Sequence, residues 1–333
     1  MSCKISTTTE NHFLGKLQPV VVLLFILCCG SCLAQEQAPL IFRQQEKYVN
    51  KIIHRHLKTD TIVETSEASI HLYFATTSNK QYLLLLHGMG ANAASNWFKQ
   101  IPYLSKHYNL IAPDLIYFGK STSKSNDFSP EFQAKQINEL MRKLNITGPI
   151  HVMGFSYGGL VAAVYNQLFP DNVEKLIIID GPVKYFSGQM ADSCARFFGA
   201  SGIAALLAPQ TIKDFNSLKR AALSRNMPIP KGIKKKLIAH FFAPYVDIRK
   251  QQIDYLFRNQ QRYQNYNYNF PSTSTLFVWG AKDGVVPLSV GKALNAAYPA
   301  KSQLLVFKKA KHDAQFRYSK KLNKAIADFL KNM

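Results

Sequence analysis

From Thr61 onward, short apolar runs alternate with stretches of helical periodicity. Residues 82–86, 108–112, 150–153, 175–180, 275–279 and 303–307 are near-continuous apolar runs of strand length, the pattern of strands covered on both faces. Residues 61–64 and 69–74 read as an antiparallel pair ahead of them. Helical stretches fall at 94–104, 130–144, 157–169, 287–297 and 314–330. This alternation predicts an α/β fold, a mostly parallel central sheet flanked by helices. The rhythm stops at residues 183–270, where helix-like pieces such as 192–207 and 233–242 follow one another without strands. That segment is expected to be a helical cap inserted over the carboxyl ends of the strands, leaving 61–182 and 271–333 as the core. In residues 35–60, Leu40, Tyr48, Ile52, Ile53 and Leu57 fit an apolar stripe on a helix, and a loosely packed N-terminal arm fits equally well.

The sharpest local signal is Gly154-Phe155-Ser156-Tyr157-Gly158-Gly159, directly after the apolar run 149–153. It reads as a strand turning into a helix with a serine at the apex, where Gly154 and Gly158 leave room for a strained backbone. Such a serine is a candidate nucleophile. Three more segments supply what it needs. His87-Gly88-Met89-Gly90 follows the first buried strand, where a loop can aim backbone N–H groups at the serine. The amides of Met89 and Tyr157 are the candidate oxyanion hole, with His87 and Gly88 as structural parts of the motif.

Asp283, in Trp279-Gly280-Ala281-Lys282-Asp283, leaves one strand, and His312 follows the last. The chain order Ser156, Asp283, His312 suits a triad in which His312 takes the serine proton and Asp283 holds the imidazole. A serine hydroxyl needs this help because it is scarcely ionised at neutral pH. Asp180, also at a strand's carboxyl end, is the rival for the acid role. Asp313, adjacent to His312, is expected to point away from it.

With these segments the chain resembles the α/β-hydrolase superfamily over about residues 61–331, most nearly its capped esterases, lipases and C–C bond hydrolases. The motifs are HGMG at 87–90, PDLIYFGKS at 113–121, GFSYGG at 154–159, WGAKDGVVP at 279–287 and KHDAQF at 311–316. One departure is Tyr117, where many relatives carry glycine, and it is expected to alter the mouth of the pocket. Relatives with an aspartate at the elbow, the epoxide hydrolases and haloalkane dehalogenases, are excluded by Ser156. The resemblance implies cofactor-free hydrolysis of a small-molecule or lipid ester through an acyl-enzyme. A C–C bond hydrolase or serine aminopeptidase is the alternative, as is a ligand-binding sensor or envelope adaptor that keeps the triad. The cap shows no obvious acidic cluster to hold a substrate amine, which weighs against the peptidase. In the cap, Phe197-Phe198, 203–207 and Phe241-Phe242 are candidates for an acyl pocket or for the cap's own core.

Composition narrows the setting. The 333 residues are 47% hydrophobic and 18% charged, ordinary for a folded chain with a substantial core. Lys4 and Lys16 precede the apolar run 20–29, which at roughly ten residues is well short of the ~20 needed for a membrane-spanning helix. Residues 1–34 therefore read as a signal peptide cleaved after Ala34, implying export to the periplasm or beyond. Cys29-Gly30-Ser31-Cys32 also resembles a lipoprotein processing box, with cysteine in place of its usual first aliphatic residue, so lipidation at Cys32 is the alternative. Cys194 is the one cysteine beyond this leader, which rules out an internal disulfide in the mature chain, and no Cys/His spacing suggests a metal site.

The net charge of +21 changes by only one unit on losing Lys4, Lys16 and Glu10 with the leader. No nucleic-acid-binding signature accompanies it. Lys231, Lys234, Lys235 and Lys236, with Arg258 and Arg262 among Tyr263, Tyr266 and Tyr268, predict a basic, aromatic face on the cap. That face is either a solvated surface or one suited to an anionic membrane.

Overall fold

A computed structural model of the chain describes residues 40–77, 80–225 and 228–331. The expected leader, Cys32 included, lies outside them. The strands are β1 (Thr59–Glu64), β2 (Ala68–Phe74), β3 (Tyr82–Leu86), β4 (Asn109–Pro113), β5 (Thr122–Ser123), β6 (Ile150–Phe155), β7 (Val173–Ile179), β8 (Ser274–Gly280) and β9 (Ser302–Phe307). Among the described residues they form one nine-stranded sheet in the order β1-β2-β4-β3-β6-β7-β8-β9, with β5 beside β2. β1, β2 and β4 pair antiparallel, and every neighbour from β4 through β9 is parallel. Leu84 pairs with Val152 and Ile177 with Leu276, in strands whose apolar side chains are almost wholly buried. This is an α/β-hydrolase fold. Its parallel half brings the residues after β3, β6, β7, β8 and β9 to one edge of the sheet.

Helices fill the crossovers. α1 (Leu40–His56) precedes β1, and α2 (Ala93–Trp97) and α3 (Ile101–Leu104) follow β3. α4 (Pro130–Lys143) leads into β6, α5 (Tyr157–Leu168) leaves it, and α12 (Leu288–Ala297) joins β8 to β9. α13 (Ala314–Arg317) and α14 (Ser319–Lys331) follow β9. The start of α4 shows how local sequence sets a boundary. Ser129 accepts a hydrogen bond from the Phe132 amide, and Pro130 sits where its missing N–H costs nothing.

The single helix expected at 94–104 is two. Asn92 and Ser95 form a capping box that starts α2, and Pro102 in the first turn of α3 cannot donate backward to continue it. The stretch 314–330 also breaks, at Tyr318, whose ring stacks on Phe307 with centroids 5.0 Å apart. From Leu40 the N-terminal segment is helical: Val49 and Ile53 on α1 and Leu57 just past its end, spaced by four, are buried, while Tyr48 faces out.

Among the described residues, six α-helices lie between β7 and β8: α6 (Gly188–Phe197), α7 (Ile203–Leu207), α8 (Ile212–Ala222), α9 (Lys231–Phe241), α10 (Val246–Arg258) and α11 (Gln260–Asn265). The stretch 192–207 is split because Gly199 adopts φ 90°, a left-handed conformation that ends α6.

Candidate active site

Ser156 sits between β6 and α5 with φ 51° and ψ −121°. This is a strained conformation for a non-glycine residue, and it persists only because its surroundings over-determine it. The Ser156 amide donates to the Ile179 carbonyl at 2.8 Å. A Cβ on Gly154 would lie 2.1 Å from the Gly158 carbonyl oxygen, and one on Gly158 would lie 2.2 Å from that of Leu86. Both obstacles are backbone, so neither can move aside, and the turn accepts glycine alone at both positions.

His312 brings the other two candidates to this serine. Its Nδ1 is 2.7 Å from Asp283 Oδ2, and its Nε2 is 2.9 Å from Ser156 Oγ. An ionised carboxylate only accepts, so Nδ1 carries the proton and the Nε2 lone pair faces the serine hydroxyl. Asp283 Oδ1 in turn accepts from the amides of Val285 and Val286, at 2.8 and 3.0 Å. The Phe155 ring lies against the imidazole, centroids 4.9 Å apart. His312 and Asp283 are buried and Ser156 is half-buried, so one side of the serine stays open to a substrate.

Asp313 faces elsewhere, accepting from the Ser224 amide at 2.9 Å and from its hydroxyl, which ties the segment after α8 to the loop carrying His312. Asp180, the rival acid, contacts neither the serine nor the imidazole by any hydrogen bond among the described residues. Its Oδ1 accepts from the Gly280 amide at 2.9 Å. Asp180, Asp283 and His312 are close enough together to hold a metal ion, but His312 and Asp283 already use facing atoms on each other.

On the other side of Ser156, Met89 and Tyr157 border the open space. Tyr157 is the first residue of α5, so its N–H is among the donors that a helix start leaves without an intrahelical partner. Gly88 is packed so closely that a Cβ would meet the Phe155 ring at 2.9 Å. His87 is fully buried: Nδ1 donates to the Gly88 carbonyl and Nε2 accepts from the Leu115 amide, both at 2.8 Å. Burial holds its pKa below the usual value, which fits a neutral ring that stitches two loops together.

A cavity of about 110 Å³ opens in front of Ser156. Its walls are chiefly apolar, with Leu160 and Val286 from the core and Phe186, Leu207, Leu218 and Phe257 from the insertion. Of the expected pocket residues, Ile203, Leu207 and Phe242 line it. Phe198 instead packs over Gly284, and Phe197 is 84% exposed. Leu218, Ile253 and Leu256 escaped the sequence reading, although α8 and α10 carry the apolar spacing that points a stripe inward.

Arg249, 1% exposed, is the charged member of the wall. It donates to the Phe241 carbonyl at 2.9 Å and its guanidinium lies beside Gly90.

Two expectations are corrected. Tyr117 does not line the cavity: it takes φ 73°, and its hydroxyl donates to the Ser125 carbonyl at 2.7 Å, turning the ring toward Phe128. The aromatic part of the basic face is largely interior. Tyr263 donates to Glu131 at 2.8 Å, and Tyr268 is buried in a stack on Phe270.

Residues 81–317 match the model of a family described as alpha/beta hydrolase fold. A 2-hydroxy-6-oxononadienedioate/2-hydroxy-6-oxononatrienedioate hydrolase from Pseudomonas putida is 26% identical over 290 residues, 79% of this chain and 92% of that protein. Human monoacylglycerol lipase ABHD6 is 24% identical over 258 residues, 76% of each chain. Among solved structures, a 2-hydroxy-6-oxo-6-phenylhexa-2,4-dienoate hydrolase from Rhodococcus superimposes with a TM-score of 0.68 at 22% identity, covering 82% of this chain and all of that one.

Proposed function

The chain belongs to the α/β-hydrolase fold family, and from that premise we propose that it is an exported serine hydrolase cleaving carboxylic esters, a carboxylesterase or lipase. One observation carries the proposal: His312 bridges Ser156 and Asp283 at the floor of an apolar cavity. Ser156 Oγ attacks the ester carbonyl as His312 Nε2 takes its proton, and Asp283 steadies the imidazolium that forms. The amides of Met89 and Tyr157 receive the negative charge that develops on the carbonyl oxygen. His312 then protonates the leaving alcohol, and water, activated by the same ring, releases the acid from Ser156. The lipase relative supports an acyl chain lying along the apolar wall.

The test is hydrolysis of p-nitrophenyl esters from acetate to palmitate by the mature protein. Activity lost in Ser156→Ala but not in folding supports the proposal, and undiminished activity in that variant sinks it.

C–C bond hydrolysis is the second reading, favoured by Arg249 and by the Pseudomonas relative. A buried guanidinium in the cavity wall suits the carboxylate of a dienoate substrate. Turnover of such a substrate with no ester hydrolysis would select it.

The exposed Lys231, Lys235 and Lys236, with Arg258 and Arg262, suit peripheral contact with anionic lipid, and Phe197 offers an apolar ring to the interface. Sedimentation with phosphatidylglycerol vesicles but not phosphatidylcholine vesicles checks this contact. Export is checked by finding a mature N-terminus after Ala34 in the cell envelope or medium.

A further inference from the structure

Asp180 directly follows β7, with no exposed surface and a left-handed backbone, φ 49°. Burying a carboxyl group so completely is costly unless it is neutral or well supplied with donors. Oδ1 has one donor, the Gly280 amide, whereas Oδ2 is buried without a hydrogen-bond partner. Beside it lies Asp283: carboxylate oxygens of the two residues and a ring nitrogen of His312 lie within 4.8 Å of one another. Two carboxyl groups this close in a buried site do not both ionise, and the proton settles on the one with fewer donors. Asp283 has three donors, His312 Nδ1 and the amides of Val285 and Val286, against the single donor of Asp180.

We infer that Asp180 is the neutral acid of this pair and donates a hydrogen bond from Oδ2 to Asp283, as a positioning residue for the triad. The inference rests on the serine-hydrolase reading. Burial, and after it the charge of Asp283, pushes the Asp180 carboxyl well above the usual carboxylate range. The titratable groups around it are Asp283 in the loop after β8, His312 and Asp313 after β9, and, facing Asp283 from α6, Cys194. Asp313 is held by Ser224 and the Lys311 amide. A proton donated to Asp283 fixes the plane of its carboxylate and spreads its charge, so that the imidazolium is held firmly but not so tightly that it fails to release its proton.

The test is the pH dependence of Ser156 labelling by a fluorophosphonate, which needs neutral His312 but no knowledge of the natural substrate. Asp180→Asn supplies the same donated hydrogen bond without a charge, so its acid limb should coincide with that of the wild type. Asp180→Val removes the donor and leaves the charge of Asp283 more localised. Its acid limb should rise by about 0.5–1 pH unit, with labelling roughly 10-fold slower at neutral pH.

A displaced limb in the Asn variant overturns the inference, because a charge would then have been lost with Asp180. An unmoved limb in the Val variant overturns it as well. Should the Val variant fail to fold, the Asn limb alone decides. If the wild-type protein takes no label at any pH, the serine-hydrolase reading has failed instead.

Discussion

The sheet and the helical insertion fix their side chains by different means. At the sheet edge, position is a matter of backbone: Ser156 stands where it does because β6 pairs with β3 and β7, and because backbone atoms crowd Gly154 and Gly158. Asp283 and His312 arrive from β8 and β9, strands paired in the same sheet. In the insertion, position is a matter of side-chain packing between short helices. The insertion meets the edge that carries Asp283 and His312 at several places, one of them the Gly284 amide, which donates to the Ala221 carbonyl at 3.2 Å. Phe198 covers Gly284 beside Asp283, while Ser224 holds Asp313 beside His312. On the serine-hydrolase reading proposed above, the difference is a division of labour, in which the sheet assembles the chemistry and the insertion shapes what reaches it.

That division can be broken most forcefully at the sheet edge. His312→Ala should lower turnover by on the order of 10⁶-fold while leaving the circular dichroism spectrum unchanged. The drop is read in any ester assay, and a small one would move the chemistry away from this edge. Gly154→Ala attacks the scaffold instead. With a Cβ driven into the Gly158 carbonyl, the loss should be about 4 kcal/mol or more of unfolding free energy, seen in urea titration or as insoluble expression.

Next comes the underside of the sheet. His151 on β6 is buried, and desolvation, then nearby Lys175, lowers its pKa to about 4. The folded state thus keeps this ring neutral at pH values where the unfolded chain, titrating near 6.5, has already protonated. The contribution is intact above about pH 6.5 and is lost as pH falls from there toward 4. It should amount to a few kcal/mol at most, on the order of the shift itself. His151→Gln should flatten that part of the stability–pH curve, as chemical denaturation at several pH values would reveal.

The smallest effect is expected in the insertion. Leu207→Ala enlarges the cavity and should move the best acyl chain to a longer one, by about 10-fold in relative kcat/KM. Its fluorophosphonate labelling rate should stay within a few-fold of the wild type. A large fall in labelling would show that the insertion also builds the triad, and the comparison would fail.

What was legible in the sequence follows the same line. Runs such as 82–86 and 150–153 carry a period and a length that belong to buried parallel strands, and the elbow glycines carry a backbone requirement, so both show in one dimension. The positions of Asp283 and His312 followed from being just past strands. The insertion was readable only as helical, because which residues face the cavity depends on how six helices tilt against one another. Phe197 and Phe198 are adjacent in sequence, yet one is in solvent and the other is packed on Gly284. Likewise Tyr263 looked like surface until Glu131, far off in sequence on α4, gave its hydroxyl a buried partner.

The central claim is that the sheet edge holds a serine made nucleophilic by His312. Intact and peptide mass spectrometry of the mature protein after brief treatment with a fluorophosphonate tests it most directly. The account predicts one adduct per chain, on Ser156, and none in His312→Ala. A folded protein that takes no adduct, or takes it on another residue, would contradict it.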